Sequence, residues 1–185
     1  GAQSRAHDLI EQLRAIGDAR DLPRLCVASL GEEIRMLALR QQDRACQARM
    51  AALERLEQRQ ANCWGILQPL VSLQIGIARA YAAIVGSHWE SVPALLDSVD
   101  PLAKRLRRVR DAIQVQLLRA LAGRQRGENC QQMIDEAASL AEALGLGRVL
   151  ADTYPGFARG VPATAGQASG TNATLSGHSL PRDAG

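Results

Sequence analysis

Residues 89–106 read WESVPALLDSVDPLAKRL, and residues 130–146 read CQQMIDEAASLAEALGL. Both stretches carry apolar residues at helical spacing, and the second copy follows the first by 41 positions. The first stripe comprises Trp89, Val92, Leu96, Val99 and Ala103; the second comprises Cys130, Met133, Ala137, Leu140 and Leu144. This spacing places each set on one face of an α-helix. Each stripe is therefore predicted to be the buried face of a helix.

An apolar helix is predicted before each stripe, over residues 70–85 and 107–121. Gly86 and Gly127 stand between the two helices of each pair, at the same offset. The unit is thus two helices and a turn, used twice. Since one such hairpin cannot bury both of its apolar faces, units of this kind stack. The sequence predicts a helical-repeat array, an architecture typical of interaction surfaces.

The composition indicates an all-α protein. Apolar residues make up 46% of the 185 residues and aromatic residues only 3%, so Leu, Ala, Ile and Val must fill the core. Ala and Leu are strong helix formers. The chain has 22 Lys and Arg residues against 19 Asp and Glu residues, a mixed surface that does not suggest a nucleic-acid interface. No signal peptide or membrane-spanning stretch is visible, which predicts a cytoplasmic protein with its four cysteines reduced.

Three further helices are expected in the first third of the chain, over residues 4–16, about 22–40 and about 43–59. A single long helix over residues 22–59 is the alternative, because no Gly or Pro marks the turn near Gln41. In the Trp89 helix, Pro101 is expected to kink or end the helix near Asp100. The residues expected to face inward are Ala6, Leu9, Leu13 and Ile16, then Leu22, Cys26, Leu30, Ile34 and Leu37, then Cys46, Met50, Leu53 and Leu56.

The composition changes at about residue 158. From there Gly, Ser, Thr, Ala and Pro dominate and large apolar residues are scarce. Such a segment cannot bury enough surface to offset its ordering entropy. We expect a helical-repeat domain over residues 1–157 and a flexible linker over residues 158–185.

Catalytic and cofactor motifs are missing from the sequence. It contains no C-x-x-C pair, no phosphate-binding G-x-x-x-x-G-K-[ST] loop, no G-x-S-x-G and no H-E-x-x-H. We therefore expect that the chain is not an enzyme and that it binds neither a metal ion nor a cofactor of its own.

Five residues are candidates for binding a ligand or partner. Arg107, Asp111 and Gln114 fall on one narrow stripe of an inner helix, which in stacked hairpins commonly lines the concave wall; a solvated helix face is the alternative. Arg79 interrupts the apolar helix over residues 70–85. Trp64 lies outside the clear stripes, so it is either a platform on which a ligand packs or a core residue. The basic run over residues 104–110 either meets an acidic partner or stabilises a helix C-terminus.

Several short stretches resemble a known family. They are Ala78-Arg-Ala-Tyr81, Gly86-Ser-His-Trp-Glu-Ser-Val92, Leu117-Leu-Arg-Ala120 and Leu140-Ala-Glu-Ala-Leu144-Gly-Leu-Gly-Arg148. Together they resemble the tetratricopeptide-like region of MalT-type transcription regulators with a LuxR-type DNA-binding end. The resemblance implies antiparallel helical hairpins stacked as a right-handed solenoid.

The resemblance also implies a function. A small-molecule effector or a regulatory protein would bind the concave face and bias a bacterial transcription regulator between two states, often oligomeric. DNA would be bound by a helix-turn-helix module outside residues 1–185, and ATP by an upstream module of the full-length protein. A free-standing adaptor for protein–protein interaction is the alternative, and an exposed apolar end of the array would favour homo-oligomers.

Overall fold

The computed structural model describes residues 2–158, and within them every regular element is helical. The α-helices are α1 Ala2–Ala19, α2 Pro23–Leu39, α3 Asp43–Arg59, α4 Gln68–Val85, α5 Val92–Arg105, α6 Val109–Gln125, α7 Gln131–Ala143, α8 Arg148–Thr153 and α9 Pro155–Ala158. Single 3-10 turns at Gly65–Leu67 and Trp89–Ser91 precede α4 and α5. The all-α prediction is confirmed, and residues 22–59 form two helices. The predicted linker lies, but for Ala158, outside the described residues.

Six of the helices end in the same way. Two positions after the last helical residue, the chain takes a left-handed conformation with φ between +50° and +82°. The next N–H then bonds to a carbonyl five residues back, as from Gln42 to Leu37 and from Arg108 to Ala103. This arrangement satisfies carbonyl groups that a helix end leaves free. The left-handed residues are Asp21, Gln41, Ser87, Arg107, Gly127 and Gly145. Short turns of one type therefore fold consecutive helices back on one another.

The helices pack mainly between sequence neighbours. Helix α2 packs on α1, α3 and α4; α4 packs on α5 and α6; and α6 packs on α5, α7 and α8. Helices α2, α4 and α6 thus follow one another as an inner row. Helix α4, which is apolar almost all round, lies between neighbours on several sides and buries twelve residues, as its sequence predicts.

The stripe on α5 is confirmed. Val92, Leu96 and Ala103 are fully buried, Val99 is nearly so, and Trp89 is half-buried against the core. Helix α5 does not end near Asp100: it continues through Pro101 to Arg105. Ala103, beyond the proline, is fully buried in the continued helix.

The stripe on α7 is wrong in its second half. Leu140 and Leu144 are 43% and 51% exposed, and the buried face is formed instead by Cys130, Ile134, Ala137 and Ala141. This face follows the α5 face by 38 positions, since Ile134 corresponds to Leu96 and Ala137 to Val99. The prediction aligned Gly86 with Gly127, whereas the left-handed residues of the two turns are Ser87 and Gly127. The first buried residue then follows after five positions at Val92, beyond the 3-10 turn, but after three at Cys130. A shift of three residues is close to one helical turn, so the predicted and the observed buried faces overlap. Cys130 and Ala137 belong to both faces.

The predicted inward face of α1 is also wrong. Leu9, Leu13 and Ile16 are 58%, 44% and 46% exposed. Helix α1 turns Gly17 towards α2 instead, where an added Cβ would lie 2.6 Å from Cys26 Sγ. Arg14 on this side binds Glu33 of α2. The predicted inward face of α2 is confirmed in part: Cys26, Leu30 and Ile34 are buried, Leu37 is partly buried, and Leu22, just before the helix, is 45% exposed. The predicted face of α3 is confirmed in full, since Cys46, Met50, Leu53 and Leu56 are all buried.

The cysteines are free in the structure. Cys26, Cys46 and Cys130 are buried, as expected of small apolar residues, whereas Cys63 is exposed. Among the helices over residues 2–158, none combines the length and apolar character needed to cross a membrane.

Candidate binding surfaces

A small polar cleft opens between α2, α4 and α6. Its volume is about 90 Å³. The polar side chains that line it are Glu32, Arg35, Gln74, Arg108, Arg110, Asp111 and Gln114. We call this site the polar cleft. It contains two of the five predicted binding residues, Asp111 and Gln114, together with polar groups from all three inner helices.

Asp111 and Gln114 are both only 6% exposed. The Asp111 carboxylate accepts a hydrogen bond from Arg108 Nε at 2.7 Å. The Gln114 amide donates to the Tyr81 hydroxyl oxygen at 2.9 Å. The Oε1 atom of Gln74 is buried and has no partner in the described part of the chain. Because a buried acceptor without a donor is unfavourable, this oxygen offers a place for a ligand donor.

Helix α8 is held by the residues around this cleft. Tyr81 donates from its hydroxyl to the Thr153 carbonyl at 3.2 Å, and Arg35 donates from Nη1 to the Asp152 carbonyl at 2.6 Å. Arg110 lies 3.4 Å from the Asp152 carboxylate. These carbonyls belong to the end of α8, where helix acceptors are otherwise free. A hydrogen-bond path thus runs from Gln114 through Tyr81 to the end of α8.

Burial raises the pKa of Tyr81 to about 12, and its hydrogen bonds with Gln114 and Thr153 and the nearby Arg35 charge only partly offset that effect. The hydroxyl therefore stays protonated at neutral pH and keeps donating to the Thr153 carbonyl. The path is intact under ordinary conditions.

The other three predicted residues lie elsewhere. Arg107 is in the turn before α6, with φ +53°, and does not share a helical stripe with Asp111 and Gln114 because α6 begins only at Val109. Arg79 bridges from α4 to Glu57 of α3 at 2.6 Å, with Glu54 at 3.8 Å. Trp64 is 4% exposed and packs in the core. The structure brings together only Asp111 and Gln114.

Sequence reasoning missed Arg35, Tyr81 and Thr153. The polar interruption of the apolar helix α4 by Gln74 was one available signal, since a polar residue in such a helix faces either solvent or a polar site. The contact between Arg35 and Asp152 joins residues 117 positions apart. The local sequence pattern does not predict a contact between residues so far apart in the chain.

A second surface lies between α5 and α7. Both helices pack against α6, and an open groove of about 930 Å³ separates them. We call it the outer groove. Three elements supply most of its lining: Asp100, Ala103 and Lys104 of α5; Val109, Ala112, Ile113 and Gln116 of α6; and Met133, Glu136 and Leu140 of α7, with Leu144 just after it. The two leucines of α7 that miss the core are part of this groove.

Among residues 2–158 no group of three His, Cys, Asp or Glu side chains is placed to hold a metal ion. Comparison with known proteins matches no family model, no curated protein and no solved structure.

Proposed function

We propose that this chain is a non-catalytic regulatory domain whose polar cleft binds a small polar effector. The observation that carries this proposal is the path from Gln114 through Tyr81 to the Thr153 carbonyl, which connects the cleft to α8. In addition, Arg35 and Arg110 line the cleft and also contact Asp152 of α8, so a ligand would lie against side chains that hold this helix.

The physical basis is competition for hydrogen bonds. A ligand acceptor that takes the Gln114 amide N–H removes the hydrogen bond that the Tyr81 hydroxyl accepts, and so alters the contact of Tyr81 with the end of α8. Ligand binding shifts the position of α8 only if the ligand binds one arrangement better than the other. The short helix α8, with six residues, is a suitable element for such a shift because the hydrogen bonds from Tyr81 and Arg35 hold its end.

The family resemblance supplies the wider context of the proposal. The pairs α2–α3, α4–α5 and α6–α7 support three antiparallel hairpins, and the inner row of α2, α4 and α6 would form the concave wall of a tetratricopeptide-like right-handed solenoid. We propose accordingly that the domain belongs to a bacterial transcription regulator of the MalT type. DNA and ATP would then bind to other modules of the full-length protein, and the cleft would be the sensor.

Equilibrium dialysis of the chain against a bacterial metabolite extract, followed by mass spectrometry, tests the proposal. The wild-type chain is expected to retain a polar compound, and Gln114→Met to reduce its retention at least tenfold. Gln116→Met is the matched control, because Gln116 lies on the same helix but lines the outer groove. Failure to retain any compound, or equal retention by Gln114→Met, would rule out the effector site.

A free-standing adaptor is the second candidate function, and the outer groove favours it. Leu140 and Leu144 are large, exposed and adjacent to an apolar floor, which is the character of a protein-docking surface. This function does not require the polar cleft to bind anything.

A further inference from the structure

We propose that the outer groove binds an acidic amphipathic helix of a partner protein. The groove shares only Arg108 with the polar cleft, and the inference does not rest on the effector site. It rests on the shape of the groove, on the apolar side chains left exposed in it, and on its charge.

The floor of the groove has the length and direction of a helix. Val109, Ala112, Ile113, Gln116 and Arg119 lie along one face of α6 and line the groove from end to end. At 1.5 Å per residue they span about 15 Å, which matches about three turns of a partner helix. Helices α5 and α7 form the two walls. A groove between two helices accepts a third helix through apolar residues at spacing i, i+3, i+4 and i+7.

Apolar surface that the fold leaves uncovered lies along one end of this groove. Val109 is 39% exposed, Leu140 43% and Leu144 51%. The buried Ala103 and Ile113 line the same groove. A contiguous apolar patch of this kind next to a groove marks an interaction site more often than single exposed residues do.

The positive charge at this end of the groove favours a partner helix with acidic side chains. Four basic side chains line the groove against two acidic ones. Lys104, Arg108 and Arg119 are paired with Asp100, Asp111 and Asp97. Arg107, which lines the groove, and the neighbouring Arg105 are exposed and have no ion-pair partner among residues 2–158. Acidic side chains on the bound helix would complement them.

The same charge argues against two other occupants. The exposed stripe Leu9, Leu13 and Ile16 of α1 in a second copy has apolar character, but Arg5, four positions before Leu9, lies on the same face and gives it positive charge. Residues 159–185 of the chain contain Arg159 and Arg182 and a single acidic residue, Asp183. Asp8 and Glu11 of α1 lie off the apolar stripe, so neither segment presents a cluster of acidic side chains beside apolar ones.

The test is a selection from a phage-displayed library of 16-residue peptides. Four leucines are fixed at i, i+3, i+4 and i+7 and all other positions are random, so the charge of the winning peptides is free to vary. The full chain is the target. We expect the enriched peptides to carry Glu or Asp near one end, and basic or uncharged consensus peptides would overturn the proposal.

Binding of an enriched peptide, measured by fluorescence anisotropy, locates the site. The double variant Leu140→Ser, Leu144→Ser should weaken it at least tenfold, and Arg107→Gly should weaken it severalfold while suiting the positive φ at that position. Leu9→Ser, Leu13→Ser is the matched control, with leucines equally exposed on α1. The proposal fails if the control weakens binding as much as the α7 variant. It also fails if sedimentation shows that the wild-type chain self-associates through the groove and the α7 variant does not.

Discussion

Gly76 lets α4 and α5 approach each other, because a Cβ atom added there would overlap Val99 Cγ1. Gly31, in the middle of α2, faces open space, with no atom within 4 Å of an added Cβ. Both glycines lie inside helical stretches of the sequence, and only the structure shows which of the two is needed for close packing.

We predict that Gly76→Ala lowers the free energy of unfolding by about 1–3 kcal/mol, since Val99 must move out of its buried position. Gly31→Ala should raise it by up to about 1 kcal/mol, because alanine favours the helix and meets nothing. Urea unfolding of the three proteins measures both effects. The proposed close contact between α4 and α5 is wrong if the two substitutions have the same sign.

Tyr81 gives the stability a dependence on high pH. Its pKa is about 12 in the folded chain because the ring is buried, and about 10 when unfolded. The unfolded chain therefore releases this proton first, and the stabilising contribution, complete below pH 10, is lost as the pH rises to 12. The free energy of unfolding should fall by about 3 kcal/mol over this pH range.

Unfolding of wild type and Tyr81→Phe between pH 9 and 12 measures this contribution. Burial also raises the pKa of Cys26 and Cys46 to about 11, but these thiols are present in both proteins and cancel in the comparison. The wild type should lose stability more steeply than Tyr81→Phe above pH 10. Parallel curves would mean that the Tyr81 hydroxyl is not buried.

At the scale of helices, the sequence predicts well where each helix lies in the chain, but it predicts less well which face of the helix is buried. The bounds and the buried face of α3 follow from its periodicity, and so does the sandwiched position of α4. The buried faces of α1 and α7 do not follow from periodicity. The length of the connection before a helix, and how closely that helix packs on its neighbour, decide which face it turns inward. Polar contacts between helices, such as those of Glu33, leave no periodic signal at all.

Glu33 ties three helices together. It is 2% exposed on α2 and binds Arg14 of α1 at 2.8 Å and Arg49 of α3 at 2.9 Å. Removing one arginine leaves the carboxylate with the other, whereas removing both leaves a buried charge without a partner. We predict a loss of about 1 kcal/mol for Arg14→Met or Arg49→Met alone and about 3 kcal/mol or more for the double variant.

A double-mutant cycle by chemical denaturation measures this coupling. Arg79→Met serves as the control, since its partners Glu54 and Glu57 are partly exposed and its loss should be below about 1 kcal/mol. Strictly additive losses at Arg14 and Arg49 would show that the buried carboxylate does not depend on this pair.

At the scale of the whole molecule, the inner row of helices and α8 form one connected unit. Only two of the five predicted binding residues, Asp111 and Gln114, share a site, because that site is built by residues far apart in the sequence. Periodicity places a residue on a helix face, but it does not reveal which distant segment covers that face. Here α8 does so, through Arg35 and Tyr81.

Hydrogen exchange of the backbone amides in residues 150–154 tests most directly whether the polar cleft holds α8. In Arg35→Met, which loses the bond to the Asp152 carbonyl, exchange in this segment should accelerate at least tenfold, while α4 and α6 stay protected. Arg79→Met, which removes an equally long side chain away from the cleft, should exchange like the wild type. Unchanged exchange at residues 150–154 in Arg35→Met would contradict the coupling between cleft and α8 on which the proposed regulation depends.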